Sequence, residues 1–194
     1  MKHSALQWLR GACLAAALGA ALTPAVAGKL GEIPLQPSRS AFTQAGEPLG
    51  AHALAFDGTH VWVALQFGNT LQRFNARTGE PAGSFRTGER PVALLHALGA
   101  VWVANAGSHT VTKLRPSDGA VLGVYAVDAG PTALASDGVH LWVASRSANT
   151  LVKLDGSGKR LLTVPVPGRP TALAFDGVHI WAAGAMSHEV YKVR

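Results

Sequence analysis

Asp57-Gly58-Thr59-His60-Val61-Trp62-Val63-Ala64 returns as Asp137-Gly138-Val139-His140-Leu141-Trp142-Val143-Ala144 and as Asp176-Gly177-Val178-His179-Ile180-Trp181-Ala182-Ala183. A looser copy, Ala97-Leu98-Gly99-Ala100-Val101-Trp102-Val103-Ala104, lies between the first two. Trp62, Trp102, Trp142 and Trp181 are therefore spaced by 40, 40 and 39 residues. That period matches one four-stranded propeller blade and is too long for a leucine-rich repeat.

Each repeat contains four short strand candidates bounded by Gly, Pro, Asn and Asp. The first is small-residue-rich: Ala53–Phe56, Ala93–His96, Ala133–Ser136 and Ala172–Phe175. Small side chains suit the innermost strand, where blades converge on an axis. Three of the four then turn through Asp-Gly, a pair suited to a tight hairpin. Ala97-Leu98-Gly99 needs a different turn. The second strand carries the tryptophan and is apolar on both alternating faces, which predicts cover on both sides. One indole can bury on the order of 200 Å², roughly 5 kcal/mol gross at about 25 cal/mol per Å². Third strands begin at Asn69, His109, Asn149 and His188, and fourth strands run Gly83–Thr87, Leu122–Val127 and Leu161–Val166.

The last repeat supplies only its first three strands before Arg194. The segment Arg39–Gly46 resembles the fourth strand around Ser84–Glu89 and can complete that blade. The expected fold is an all-β propeller of four four-stranded blades, the last closed by this N-terminal strand. Two other arrangements satisfy the same pattern: a head-to-tail dimer forming a ring of eight, or a piece of a longer propeller.

Residues 1–27 hold Lys2, His3 and Arg10, an apolar run from Gly11 to Leu22, and Ala25-Val26-Ala27 before Gly28. This reads as a secretory signal peptide, its apolar run shorter than the roughly 20 residues of a membrane span. The expected division is 1–27 signal peptide, 28–37 extended segment and 38–194 propeller, in a periplasmic or secreted protein without a transmembrane segment. The single cysteine, Cys13, would leave with the leader, and Arg10-Gly11-Ala12 before it does not suit a lipoprotein signal. Loss of Lys2 and Arg10 lowers the formal net charge from +6 to +4. Scattered charges without a basic run argue against a nucleic-acid partner.

The repeated pattern Asp-Gly-x-x-[Val/Leu/Ile]-Trp-Val-Ala, then Asn-Thr-[Leu/Val]-x-[Lys/Arg]-[Leu/Phe], then Gly-x-x-Pro resembles the bacterial YVTN and NHL-type propeller repeats, including those of the streptogramin B lyase. The resemblance covers about residues 38–194 and implies the propeller fold, usually with six or seven blades. The lyase comparison implies a glutamate-bound magnesium ion and a histidine. Here the tryptophan strands continue as Val63-Ala64-Leu65, Val103-Ala104-Asn105, Val143-Ala144-Ser145 and Ala182-Ala183-Gly184, none acidic. Magnesium takes hard oxygen ligands, so no metal site is carried over. No cofactor and no catalytic residue is assigned.

Two repeated sets have structural readings. His60, His140 and His179 finish hairpins, and equivalent positions on separate blades lie too far apart to share one ion. Arg73, Lys113, Lys153 and Lys192 lay their methylenes over outer strands. The better ligand surface is the face where fourth-to-first and second-to-third loops emerge together near the axis. Arg90, Arg169, Arg146, Asn69, His109, Asn149 and His188 are placed there, a donor set suited to carboxylate or phosphate. The expected function is an exported binding or scaffold module for a protein or small anionic ligand. The alternative is a metal-dependent lyase or hydrolase of the streptogramin B lyase type.

Overall fold

The computed structural model describes residues 43–44, 47–187 and 189–193. Contacts divide the chain into Met1–Pro34 and Leu35–Arg194, and every described residue belongs to the second unit. Strands β1 (Thr43–Gln44) and β2 (Glu47–Pro48) pair antiparallel. Blade 1 is β3 (Ala51–Phe56), β4 (His60–Leu65), β5 (Thr70–Asn75) and β6 (Pro81–Arg86). Blade 2 is β7 (Pro91–Ala97), β8 (Ala100–Asn105), β9 (Thr110–Leu114) and β10 (Val121–Ala126). Blade 3 is β11 (Pro131–Ser136), β12 (Leu141–Ser145), β13 (Thr150–Leu154) and β14 (Arg160–Pro165). Blade 4 is β15 (Pro170–Phe175), β16 (Ile180–Gly184) and β17 (Val190–Val193). The chain is a four-bladed β-propeller of antiparallel meanders, and no described helix is long and apolar enough to cross a membrane.

The small-residue strands are innermost, as their composition requires: β3 packs on β7, β7 on β11 and β11 on β15. Among the described residues no comparable packing joins β15 back to β3. The fourth sheet has three described strands. Most of the segment 39–46, expected to complete it, lies outside the described residues; its described part, Thr43–Gln44, pairs with Glu47–Pro48.

Blades join by a repeated rule, the trailing face of one against the leading face of the next. Trp62, Ala64 and Leu71 of blade 1 meet Val101, Val103 and Leu114 of blade 2. Trp102 and Val111 of blade 2 meet Leu141, Val143 and Leu154 of blade 3. Trp142, Ala144 and Leu151 of blade 3 meet Leu173, Ile180 and Ala182 of blade 4. Alternation along the strand makes this possible, because successive residues point to opposite faces and cross-strand pairs share a face. Trp102 thus stands opposite Lys113, and Val103 opposite Thr112.

Fourth-strand aromatics complete the wedge. Phe85 lies 5.2 Å from Trp62 and Tyr125 lies 6.1 Å from Trp102. Each ring fills the space where the following blade has a glycine: a Cβ on Gly119 would come within 2.0 Å of Phe85, and one on Gly158 within 2.2 Å of Tyr125. Any larger residue at either position collides with an aromatic ring.

The Asp-Gly turns do more than reverse the chain. Asp57 accepts hydrogen bonds from the Thr59 and His60 backbone N–H groups and from the Trp62 indole N–H, the last at 2.8 Å. Asp137 and Asp176 bind Trp142 and Trp181 in the same way, at 3.0 and 2.7 Å. Each carboxylate fixes its turn and the rotamer of its wedge. Blade 2 has no such aspartate. There Leu98 and Gly99 both take left-handed backbone, φ 54° and 69°, the signature of a two-residue type I′ hairpin. Trp102 donates instead to the Ala97 carbonyl at 3.0 Å.

Candidate functional site

The fourth-to-first and second-to-third loops meet on one face, sewn together by main-chain bonds. Ala106 N–H donates to Arg90 O, Arg146 N–H to Gly130 O, and Ala185 N–H to Arg169 O. The residue before each third strand then ties one blade to the next. Asn69, His109 and Asn149 have φ 53°, 55° and 56°, left-handed values that Asn and His tolerate better than most residues. Their side chains accept backbone N–H groups of the next blade's incoming loop: Asn69 Oδ1 from Arg90, His109 Nδ1 from Gly130, and Asn149 Oδ1 from Arg169. Acceptance at Nδ1 puts the His109 proton on Nε2 when the ring is neutral. These three predicted ligand contacts are engaged in holding the face together, a role the sequence reading missed. Its signal was present, since one position is Asn or His in every repeat. The fourth member, His188, lies outside the described residues.

The arginines remain. Arg90 and Arg169 both occupy the left-handed position before a proline, φ 52° and 58°. Arg146 and Arg169 line one cavity of about 290 Å³ together with Ser147, at the junction of blades 3 and 4. Both guanidinium-bearing residues are exposed, and among the described residues neither has an acidic partner. Arg90 stands in the corresponding loop into blade 2 and does not line that cavity. Ser147 was not singled out from sequence, because a lone serine in a loop carries no pattern.

A second cleft, about 790 Å³, lies at the junction of blades 1 and 2 and includes Asn69, Thr70, Arg86, Glu89 and Ser108. Its lining residues Thr87 and Ser108 join a polar network. Buried Asn105 accepts from Thr87 Oγ1 at 2.8 Å and donates to Thr110 and Thr112 hydroxyls at 3.1 and 2.9 Å. Ser108 Oγ lies 2.9 Å from Thr110 Oγ1 and accepts from the Glu89 backbone. In blade 3 the corresponding Ser145 Oγ is buried without a partner among the described residues.

The repeated histidines lie away from this face, each beside its own turn. Nδ1 of His60, His140 and His179 lies 3.5, 3.0 and 3.5 Å from Asp57, Asp137 and Asp176. Among the described residues no three His, Cys, Asp or Glu converge. The repeated cations also have defined places. Arg73, Lys113, Lys153 and Lys192 sit 5.3, 5.1, 5.0 and 5.3 Å from the indole centres of Trp62, Trp102, Trp142 and Trp181. Arg73 reaches the Pro116 carbonyl of the next blade at 2.8 Å, and Lys113 reaches that of Gly156 at 2.6 Å. The charged ends, expected in water, lie over the indoles, and those of Arg73 and Lys113 are shared with the neighbouring blade.

The turn carboxylates are held ionised. Burial acts to raise Asp57 and Asp137, but the indole and backbone N–H groups outweigh it and leave both below the ordinary 3.8. For Asp176 the Trp181 indole is the largest influence, and it is lowered likewise.

No protein-family model matches the chain, and no curated protein matches it. Solved structures do. A streptogramin B lyase is 17% identical, with 78% of this chain and 53% of that chain covered and a TM-score of 0.67. The computationally designed Ika4 protein is 18% identical, covering 78% of this chain and 96% of the designed one, TM-score 0.65. BamB from Moraxella catarrhalis is 21% identical, covering 73% and 45%, TM-score 0.56. The fold is thus a propeller of the streptogramin B lyase type, and the chain spans about half the length of the lyase and of BamB.

Proposed function

We propose that the chain is an exported binding module that takes a carboxylate or phosphate group of a protein or small ligand on its central loop face. The observation that carries this reading is the cavity where Arg146 and Arg169 stand with the Ser147 hydroxyl, unpaired by acids among the described residues. Guanidinium forks match planar oxyanions, and charge-assisted bonds of this kind contribute roughly 1.5–3 kcal/mol each. Backbone bonds to Gly130 O and Asn149 Oδ1 fix the main chain of the two segments from which these arginines project. Export rests on the leader-like residues 1–27.

The test is calorimetric titration of the chain lacking residues 1–27 with inorganic phosphate, citrate and a short acidic peptide. At least one should bind with an affinity that falls as salt rises. Changing Arg146 and Arg169 together to Ala should weaken it by about tenfold or more. Arg115→Ala, which removes only the exposed pair with Asp118, should leave it unchanged. Equal binding by the double variant, or none by any probe, would contradict the reading.

A further inference from the structure

The three internal junctions bury the same repeat positions, and the two ends of the arc display several of those positions, though not Val63, uncovered. On the trailing side, Leu71 and Leu151 are 0% exposed, whereas Val190 at the same position of blade 4 is 63% exposed. Trp62, Trp102 and Trp142 are buried, and Trp181 is half-buried. Ala174, opposite Trp181 across the sheet, is exposed where Ala135 is buried. On the leading side, Leu54 of blade 1 is 67% exposed while the matching Leu173 is 8% exposed. Val61 is half-buried where Val101, Leu141 and Ile180 are buried. Beside the uncovered trailing face, β17 has no partner strand on its outer edge among the described residues.

We infer that a second copy of this chain docks on these surfaces head to tail, the trailing face of blade 4 in one copy against the leading face of blade 1 in the other, twice over. What fits a trailing face is already shown three times within the molecule: a leading face bearing an aliphatic pair on the tryptophan strand. Among the described residues, blade 1 leaves Leu54 exposed and Val61 half-buried on its leading face, with Val63 of the pair 5% exposed, and blade 4 leaves Val190 exposed on its trailing face. A head-to-tail contact closes into a ring when the rotation it generates divides a full turn. Two copies of four blades in this arrangement place eight blades about one axis. The trailing face of blade 4 offers Trp181 and Val190, with the Lys192 ammonium over the indole. It stands independently of the arginine cavity.

Sedimentation of the chain lacking residues 1–27 tests this. The expected mass is twice that of one chain. Val190→Glu and Leu54→Asp each place a charge at the contact and should weaken self-association by at least about tenfold. Val121→Glu, on the exposed outer strand of blade 2, should not. Val190 and Leu54 are both exposed within one chain, so the variants should keep the parent's cooperative unfolding. Mixing the two is the decisive arm. A head-to-tail pair of Val190→Glu with Leu54→Asp has one junction free of either substitution, so a mixed dimer should form more tightly than either variant's own. A monomer at every concentration overturns the inference, including one whose faces are covered by residues 1–42 when these are kept. So does a dimer indifferent to both substitutions, or a mixture no tighter than its components.

Discussion

Leu151 and Val190 occupy the same place in successive repeats, beside equivalent tryptophans, yet one is sealed and the other is 63% exposed. Trp142 and Trp181 differ in the same sense, though both donate to a turn aspartate and both carry a lysine about 5 Å above the ring. The turn aspartate and the lysine are shared, whereas β13 is flanked by β14 and β17 has no outer partner strand among the described residues. Two things differ among the described residues, a following blade and an outer strand, so in this fold burial belongs to what packs on the repeat and not to the repeat alone. Nearest-neighbour arrays behave this way, with stability divided between units and interfaces.

The sharpest way to break that comparison is to truncate the two tryptophans in turn. Trp142→Ala should cost about 3–5 kcal/mol in urea unfolding, the usual range for a large buried side chain. Trp181→Ala should cost about half of that or less under conditions where the chain is monomeric. Equal losses would mean that the blade itself, and not the junction, holds the indole's energy.

A smaller effect separates the blades with a turn aspartate from blade 2. Asp137→Ala removes the acceptor of one indole and two backbone N–H groups and should cost about 1–3 kcal/mol. Because Asp57, Asp137 and Asp176 are lowered in the folded chain, their contribution is complete above the unfolded value of 3.8 and is lost as pH falls through the folded values. Thermal stability should therefore fall on acidification below about pH 4. Asp137→Asn should flatten that fall. The Ala97 carbonyl that serves Trp102 does not titrate, so changes at the Ala97-Leu98-Gly99 turn should leave the acid profile alone.

The smallest effect distinguishes the cations. Lys113→Met removes an indole contact and a bond to the next blade, while Lys192→Met removes only an exposed indole contact. Losses of about 1–2 and about 0.5–1 kcal/mol respectively should appear in chemical unfolding. The reverse order would show that the inter-blade bond contributes nothing.

Much of this was legible before any coordinates. The tryptophan period gave the blades, the small-residue strands gave the axis, and the double apolar alternation gave strands covered on both sides. Ala97-Leu98-Gly99 announced an altered turn, although not that a backbone carbonyl would replace a carboxylate as the indole's partner. What stayed hidden depends on residues brought together across blades. Arg73 meets Pro116 and Lys113 meets Gly156, each 43 residues on, a separation that comparison of equivalent positions never tests. Asn69, His109 and Asn149 looked like free polar groups because their acceptors' partners are main-chain N–H groups, which sequence does not distinguish. The repeat pattern puts Arg146 and Arg169 in loops of one face, but their shared cavity, and its separation from Arg90, required the loop geometry. Val190 reads like Leu151 in every respect that sequence records.

The most direct measurement is ¹⁹F NMR of the chain labelled with fluorotryptophan, each resonance assigned by changing one tryptophan to phenylalanine, and followed across a dilution series. If the junction governs burial, the Trp181 signal moves toward its solvent-exposed position as the second copy dissociates, while Trp62, Trp102 and Trp142 keep theirs. Four propeller resonances shifting together, or Trp181 holding still beside a mass that halves, would contradict it.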